Sequence, residues 1–161
     1  MKPSLLLIED DADYRRLIQD WIGEQYEVRT AATIADGLRQ MGAHCELVLL
    51  DLSLPDSDRE VTLARVLAEH PDKPPVIVTG YDDPTFLGRM LTLGARGYIV
   101  KGRHDTSPAM LLSRLELIRQ HGEMISKLSQ AKEILTETRE TIQTEFLQRP
   151  PTTDHGPRTN E

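Results

Sequence analysis

Five short apolar runs alternate along the chain with longer stretches that carry apolar residues at helical spacing. The first run, residues 5–8, is continuous rather than alternating in polarity, which is typical of a strand covered on both faces. The predicted strands are residues 5–8, 26–32, 47–50, 76–78 and 98–100. The predicted helices are residues 12–24, 33–42, 60–69 and 84–93, and a last helix that begins at Pro108 after an N-cap at Ser107.

This strict alternation predicts an α/β fold, a doubly wound five-stranded parallel sheet with helices on both faces. In open sheets of this kind, ligands bind beyond the carboxyl ends of the strands, where the strand order reverses. The residues that directly follow the strands are therefore the first candidates for chemistry.

The last helix is longer than such a domain needs. Helical sequence without proline continues from residue 108 to about residue 147, roughly 60 Å at 1.5 Å per residue. A weak heptad pattern favours a dimeric coiled coil, while a solvated helix or a linker to another domain stays possible. Its two sets of positions are Leu128, Leu135 and Ile142, and Met124, Ala131 and Thr138.

The chain divides by composition into three parts. We predict a folded domain over residues 1–122, with Gly122 at its boundary, and a helical extension over residues 123–148. Residues 149–161 are rich in proline, threonine and charge and have no apolar periodicity, so we predict a disordered tail.

Composition and charge narrow the class of protein. The net charge of -7 argues against direct nucleic-acid binding by the bulk surface, because phosphate backbones require clustered basic residues. The single cysteine, Cys45, excludes a disulfide within the chain and suits a reducing compartment. No stretch approaches the roughly 18 apolar residues of a membrane span. We therefore expect a cytoplasmic protein that contacts neither nucleic acid nor membrane.

Reactive side chains follow four of the five predicted strands. Glu9 and Asp10 follow the first strand, Asp51 the third, Thr79 the fourth and Lys101 the fifth. Each residue alone is common as a helix cap, a turn residue or a solvated side chain. Because the carboxyl ends of parallel strands share one edge of the sheet, we expect all five side chains to converge.

That set of groups suits phosphoryl transfer. Neighbouring carboxylates repel unless a cation neutralises them, and Mg²⁺ binds through one or two carboxylates while leaving positions for phosphate oxygens. An ionised Asp51 can attack a phosphorus atom. Lys101 would neutralise charge on the transferred group, and Thr79 would donate its hydroxyl to a phosphate oxygen.

Through these residues the chain resembles the receiver (CheY-like) family of bacterial two-component response regulators, over about Leu5 to Leu117. In the resemblance Glu9 and Asp10 match the acid pair, Asp51 the phosphoacceptor, Thr79 the switch threonine, Tyr98 the aromatic switch and Lys101 the invariant lysine. The resemblance implies that Mg²⁺ (or Mn²⁺) binds directly to Asp10, Asp51 and the backbone carbonyl of Ser53, and partly through water to Glu9.

The resemblance also implies a regulatory role. The phosphodonor would be a sensor histidine kinase or a histidine phosphotransfer protein, and the chain would be a phosphoacceptor rather than an enzyme with a separate substrate. Phosphorylation would draw Thr79 toward the phosphate and let Tyr98 turn inward, which alters the face of helix 4, strand 5 and helix 5. We expect a homodimer through this face or through the C-terminal helix.

Two positions depart from the family pattern. Arg59 stands where a glycine is usual, so we expect a different shape for the loop after the third strand. Gly102 stands where a proline commonly follows the lysine, so no cis X-Pro bond is expected there.

Other functions fit the residues less well. A dimeric adaptor that works without phosphorylation would be expected to have lost at least one of Asp10, Asp51, Thr79 and Lys101. A flavin-binding domain would require a hydroxyl- and glycine-rich phosphate loop after the first strand, where this chain has acids. A phosphatase of this topology would require a second acid at the position of Ser53.

Overall fold

A computed structural model describes residues 1–42, 44–102 and 107–148. Strands and helices alternate as predicted, and each predicted boundary lies within two residues of the observed one. The elements are β1 (Ser4–Ile8), α1 (Ala12–Ile22), β2 (Glu27–Ala31), α2 (Ile34–Gln40), β3 (Leu47–Asp51), α3 (Arg59–Glu69), β4 (Val76–Thr79), α4 (Pro84–Leu93), β5 (Gly97–Val100) and α5 (Pro108–Gln148). The predicted tail over residues 149–161 lies outside the described residues.

The five strands form one parallel sheet in the order β2-β1-β3-β4-β5. The predicted fold class is confirmed. The order reverses between β1 and β3, because the chain moves outward from β1 to β2 and then returns past β1. Ile8 pairs with Leu50, and Thr79 pairs with Val100, so the strands end at nearly the same level. The segments that follow β1, β3, β4 and β5 therefore meet at one edge.

Both faces of the sheet are covered, which explains why the inner strands β1, β3 and β4 are apolar without alternation. One face packs against α1 and α5, and its core residues include Leu5, Leu7, Leu49, Val78, Ile18, Ile22, Leu111 and Leu115. The other face packs against α2, α3 and α4, and its core residues include Leu6, Ile8, Leu50, Ile77, Ile34, Leu63, Val66 and Met90. Cys45 is buried at the edge of this second cluster.

Several helices begin at the residues that the sequence indicates. The Oγ atom of Ser107 accepts the backbone N–H of Met110 (3.3 Å), as predicted for the N-cap of α5. Asp11 caps α1 by accepting the N–H groups of Asp13 and Tyr14. Asp83 caps α4 with Pro84 in its first turn.

The two departures from the family pattern have simple structural explanations. Arg59 is the first residue of α3, and none of the described non-glycine residues has a positive φ, so arginine is unstrained there. Gly102 has a φ of 73°, a conformation closed to proline and rare for other residues. The described residues contain no cis peptide bond.

The chain forms two compact units, Met1–Gln120 and a second that begins at His121. Described residues of the second unit belong to α5, and its large apolar side chains are exposed. Those with 60% to 76% exposure are Met124, Ile125, Leu128, Ile134, Leu135, Ile142, Phe146 and Leu147. None of the described helices has the length and apolar character to cross a membrane.

Candidate functional site

Asp51 is the last residue of the central strand β3, and its side chain is almost completely buried. Its Oδ1 atom accepts the backbone N–H of Ser53 at 3.0 Å. Its Oδ2 atom lies 3.3 Å from the Nζ atom of Lys101. The carboxylate is therefore held from two sides, by the loop that follows β3 and by the residue that follows β5.

Glu9 directly follows β1 and is fully buried. Its Oε1 atom accepts the backbone N–H of Asp11 (3.1 Å), and its Oε2 atom lies 2.5 Å from Lys101 Nζ. Asp10 is exposed beside it. The guanidinium group of Arg15 donates to the backbone carbonyls of Glu9 (2.7 Å) and Asp10 (2.9 Å), which fixes the turn that presents both acids.

The three acids form a cluster suited to a cation. Glu9, Asp10 and Asp51 each offer a carboxylate oxygen, and these oxygens lie within 4.8 Å of one another. Burial, reinforced by the charge of Asp51, raises the pKa of Glu9 to about 7 despite hydrogen bonds that lower it. An oxygen-only donor set of this size fits a hard divalent cation such as Mg²⁺.

Lys101 supplies the positive charge opposite these acids. Burial alone would lower its pKa, but the carboxylates of Glu9 and Asp51 outweigh burial and the pKa is raised. Lys101 is therefore a cation at neutral pH. Its backbone N–H donates to the carbonyl of Thr79 (2.7 Å), and its Nζ atom lies 4.5 Å from the ring centroid of Tyr14.

The two residues predicted to act as a switch lie in different surroundings. Thr79 is buried at the end of β4, and its Oγ1 atom accepts the backbone N–H of Tyr81 at 3.0 Å. Tyr98 is 39% exposed. Tyr98 lines a groove of about 430 Å³ together with Leu91 of α4 and residues 114, 117 and 118 of α5.

Sequence reasoning missed three residues that shape this edge of the sheet. Tyr14 and Arg15 lie in the first turn of α1, directly after the acids, so a search of the start of that helix would have found them. Asp56 accepts the backbone N–H groups of Ile34 (3.0 Å) and Ala35 (3.2 Å). No local pattern indicates that contact, because the partners lie 22 and 21 residues earlier.

Comparison with known proteins places most of the chain in one family. The model of the response regulator receiver domain matches residues 5–116. The chain is 34% identical over 129 residues to the transcriptional regulatory protein AruR of Pseudomonas aeruginosa, covering 74% of this chain and 51% of that protein. It is 30% identical over 121 residues to protein-glutamate methylesterase/protein-glutamine glutaminase 1 of Myxococcus xanthus, covering 73% of this chain and 35% of that protein. The chain thus spans about half or less of these relatives.

Solved structures share the fold. A CheY-like receiver domain protein from Methanospirillum hungatei superposes with a TM-score of 0.63 at 28% identity, covering 77% of this chain and 98% of that one. The signal receiver domain of a LuxO repressor protein from Vibrio parahaemolyticus superposes with a TM-score of 0.69 at 19% identity, covering 80% of this chain and 98% of that one. With the matched residues 5–116, these findings show that the chain belongs to the response regulator receiver domain family of two-component systems.

Proposed function

We propose that this chain is a phosphorylation switch in which Asp51 accepts a phosphoryl group. The observation that carries the proposal is the position of Asp51 at the end of the central strand, with Lys101 Nζ 3.3 Å from one oxygen and the acids of Glu9 and Asp10 beside it. A carboxylate between a fixed cation and a cation-binding cluster suits attack on a phosphorus atom.

The metal part of the proposal rests on the acid cluster. Asp10, Asp51 and the backbone carbonyl of Ser53 would hold Mg²⁺ (or Mn²⁺) directly, and Glu9 would act partly through water. The bound cation would neutralise negative charge on the phosphoryl oxygens. Lys101 already pairs with Glu9 and Asp51, so its positive charge would act on the phosphoryl group together with the cation.

The transfer itself would proceed in line. A carboxylate oxygen of Asp51 forms a bond to phosphorus, and the bond between phosphorus and the imidazole nitrogen of a donor histidine breaks. The imidazole keeps the electron pair and takes up a proton. The donor would be a sensor histidine kinase or a histidine phosphotransfer protein. The only catalysis in the proposal is this self-catalysed transfer and the later hydrolysis of the acyl phosphate.

The phosphoryl group would be sensed by Thr79 and Tyr98. The hydroxyl of Thr79 accepts from the N–H of Tyr81, so its own proton is available for a phosphoryl oxygen. Movement of Thr79 would open space near β5, and Tyr98 would turn inward from its exposed position. The face of α4, β5 and α5 would then change shape. The charge of the phosphoryl group would in this way shift the equilibrium between two conformations of that face.

The proposal also includes a homodimer. Its contact would be either the face of α4, β5 and α5 or the exposed apolar stripe of α5, which contains Leu128, Leu135 and Ile142. A cytoplasmic location and the absence of direct nucleic-acid contact stay predictions. AruR is named a transcriptional regulatory protein, and this chain spans about half of it.

The experiment that tests the proposed function is intact-mass measurement after incubation with Mg²⁺ and acetyl phosphate. Wild-type protein and Asp51→Asn are treated in parallel, with a metal-free sample of each. We expect one added phosphoryl group on the wild type in the presence of Mg²⁺ and none on Asp51→Asn.

Other outcomes would contradict the proposal in distinct ways. An added phosphoryl group on both proteins would show that a residue other than Asp51 is the acceptor. No addition to either protein, with Mg²⁺ binding confirmed by calorimetry, would favour an adaptor that works without phosphorylation.

A further inference from the structure

The loop between β3 and α3 carries the carbonyl proposed to bind the metal, and its beginning is fixed at the site. The backbone N–H of Ser53 donates to Asp51 at 3.0 Å. Leu52 and Leu54 on either side of it are buried in the core cluster that also contains Ile34. These contacts fix the start of the loop. The direction of the Ser53 carbonyl then depends on the conformation of the residues that follow it, up to Asp56.

Asp56 holds the other end of this segment. Its Oδ1 atom accepts the N–H of Ile34 (3.0 Å) and its Oδ2 atom accepts the N–H of Ala35 (3.2 Å). Both donors belong to the first turn of α2, where backbone N–H groups have no partner within the helix. Thr33 accepts the next N–H, from Asp36 (3.2 Å), so Asp56 completes the capping of this helix from a distant loop.

The charge of Asp56 suits this position. Although desolvation raises its pKa, the backbone N–H groups of Ile34 and Ala35 lower the pKa below its ordinary value. The carboxylate also lies at the positive end of the α2 dipole. Asp56 is therefore ionised at neutral pH when it accepts the hydrogen bonds from the N–H groups of Ile34 and Ala35.

Between these two anchors the chain has little freedom. Only Leu54 and Pro55 separate Ser53 from Asp56. Leu54 is buried, and the ring of Pro55 fixes its φ angle. A change at Asp56 is therefore transmitted over a short, stiff segment to the carbonyl of Ser53.

We infer that Asp56 is a positioning residue for the divalent cation: by capping α2 it holds the loop that carries the Ser53 carbonyl, the group proposed to bind the cation together with Asp10 and Asp51. Asp56 itself does not touch the metal. This inference rests on the proposed function, since it assumes a cation at that cluster. When a residue that holds a metal ligand in position without touching the metal is removed, the metal affinity typically falls by about 10- to 100-fold.

The chain offers a matched control for this inference in the same loop. Asp58 is the N-cap residue of α3, yet its side chain makes no capping hydrogen bond. The change Asp58→Ala therefore removes the same charge two residues away without breaking the hydrogen bonds between Asp56 and the first turn of α2. The change Asp56→Asn keeps one side-chain oxygen that can accept a backbone N–H.

The test is calorimetric titration of the full chain with MgCl₂, combined with amide hydrogen exchange. For Asp56→Ala we expect the dissociation constant for Mg²⁺ to rise about tenfold, with a smaller rise for Asp56→Asn and none for Asp58→Ala. Exchange at the amides of Ile34 and Ala35 should accelerate in Asp56→Ala, at one of the two amides in Asp56→Asn, and at neither in Asp58→Ala. A merely structural role would lower the melting temperature of Asp56→Ala and leave its Mg²⁺ affinity unchanged, which would overturn the inference.

Failure of the inference is distinguishable from failure of the proposed function. If the wild type binds Mg²⁺ and takes up a phosphoryl group, but Asp56→Ala and Asp58→Ala bind Mg²⁺ equally, only the role of Asp56 is wrong. If the wild type binds no Mg²⁺, the metal site itself is wrong and the inference falls with it.

Discussion

At the scale of single residues, the unusual feature is a buried glutamate that shares one lysine with a buried aspartate. Glu9 and Asp51 both lie within 3.3 Å of Lys101 Nζ, and a third acid, Asp10, lies next to them. Lys101 therefore contacts two of the three carboxylates in the cluster. Burying charge in this way costs stability unless pairing is complete, so the cluster is built for something other than folding.

This imbalance predicts a dependence of stability on pH. The pKa of Glu9 is 4.5 in the reference state and about 7 in the folded protein, so between these values the folded state holds a proton that the unfolded chain has released. The free energy of unfolding of the metal-free protein should therefore fall as pH rises through this window, by on the order of 2 kcal/mol relative to Glu9→Gln.

Urea unfolding of both proteins from about pH 5 to about pH 8 measures this difference. Glu27→Gln, which removes an exposed acid at the start of β2, is the control and should follow the wild type. Saturating Mg²⁺ should flatten the curve of the wild type, because the cation binds the deprotonated carboxylate. Parallel curves for the wild type and Glu9→Gln would contradict the assigned pKa.

At the scale of elements, α3 and α4 are joined by contacts that involve Arg59. Its guanidinium group lies 4.9 Å from the ring centroid of Tyr81 and 5.8 Å from that of Phe86. The two rings pack edge to face at 5.6 Å. An ion pair between Glu60 and Arg89 (2.7 Å) lies one residue further along α3.

We predict that Arg59→Gly, which restores the residue usual in the family, destabilises the protein by about 1–2 kcal/mol. The change removes the cation–π contacts and adds backbone freedom to the first turn of α3. Thermal unfolding measures the loss. Glu60→Gln, which breaks only the exposed ion pair, should cost less than about 0.5 kcal/mol. Equal effects of the two changes would show that the ring contacts add nothing.

The elements themselves could be predicted almost completely from the sequence. Most strands are continuous apolar runs such as Leu5–Ile8, and the helices have recognisable starts such as Ser107 and Pro108. Their strict alternation leaves one common sheet type, which places Asp51 and Lys101 at the same edge. The contacts that hold this edge together, Arg15 on two carbonyls and Asp56 on α2, depend on loop geometry and carry no periodic signal.

At the scale of the whole molecule, α5 continues beyond the domain and exposes a stripe of apolar side chains. Leu128, Leu135 and Ile142 repeat at seven-residue intervals and are each more than 60% exposed. The hydroxyl of Thr138 donates to the carbonyl of Ile134 (2.8 Å), so this position presents its methyl group without an unpaired donor. These features support association through the stripe, as in a coiled coil.

We predict that the double change Leu128→Glu and Leu135→Glu converts a dimer to a monomer in light scattering, because like charges would face each other across the seam. The matched control is Ser126→Glu with Gln130→Glu, which adds the same two charges on the opposite side of the helix and should remain dimeric. A wild-type protein that is monomeric, or a double variant that stays dimeric, would exclude the stripe as the dimer contact.

The capping of α2 by Asp56 also has a consequence for the order in which the chain folds. A seven-residue helix is too short to persist alone, and two of its first-turn N–H groups find their acceptor 22 and 21 residues later in the sequence. We therefore expect α2 to become stable during synthesis only after β3 and the following loop have left the ribosome. We expect the N-terminal third of the protein to be unable to complete its second helix alone, because the loop that follows Asp51 supplies the acceptor for its first turn.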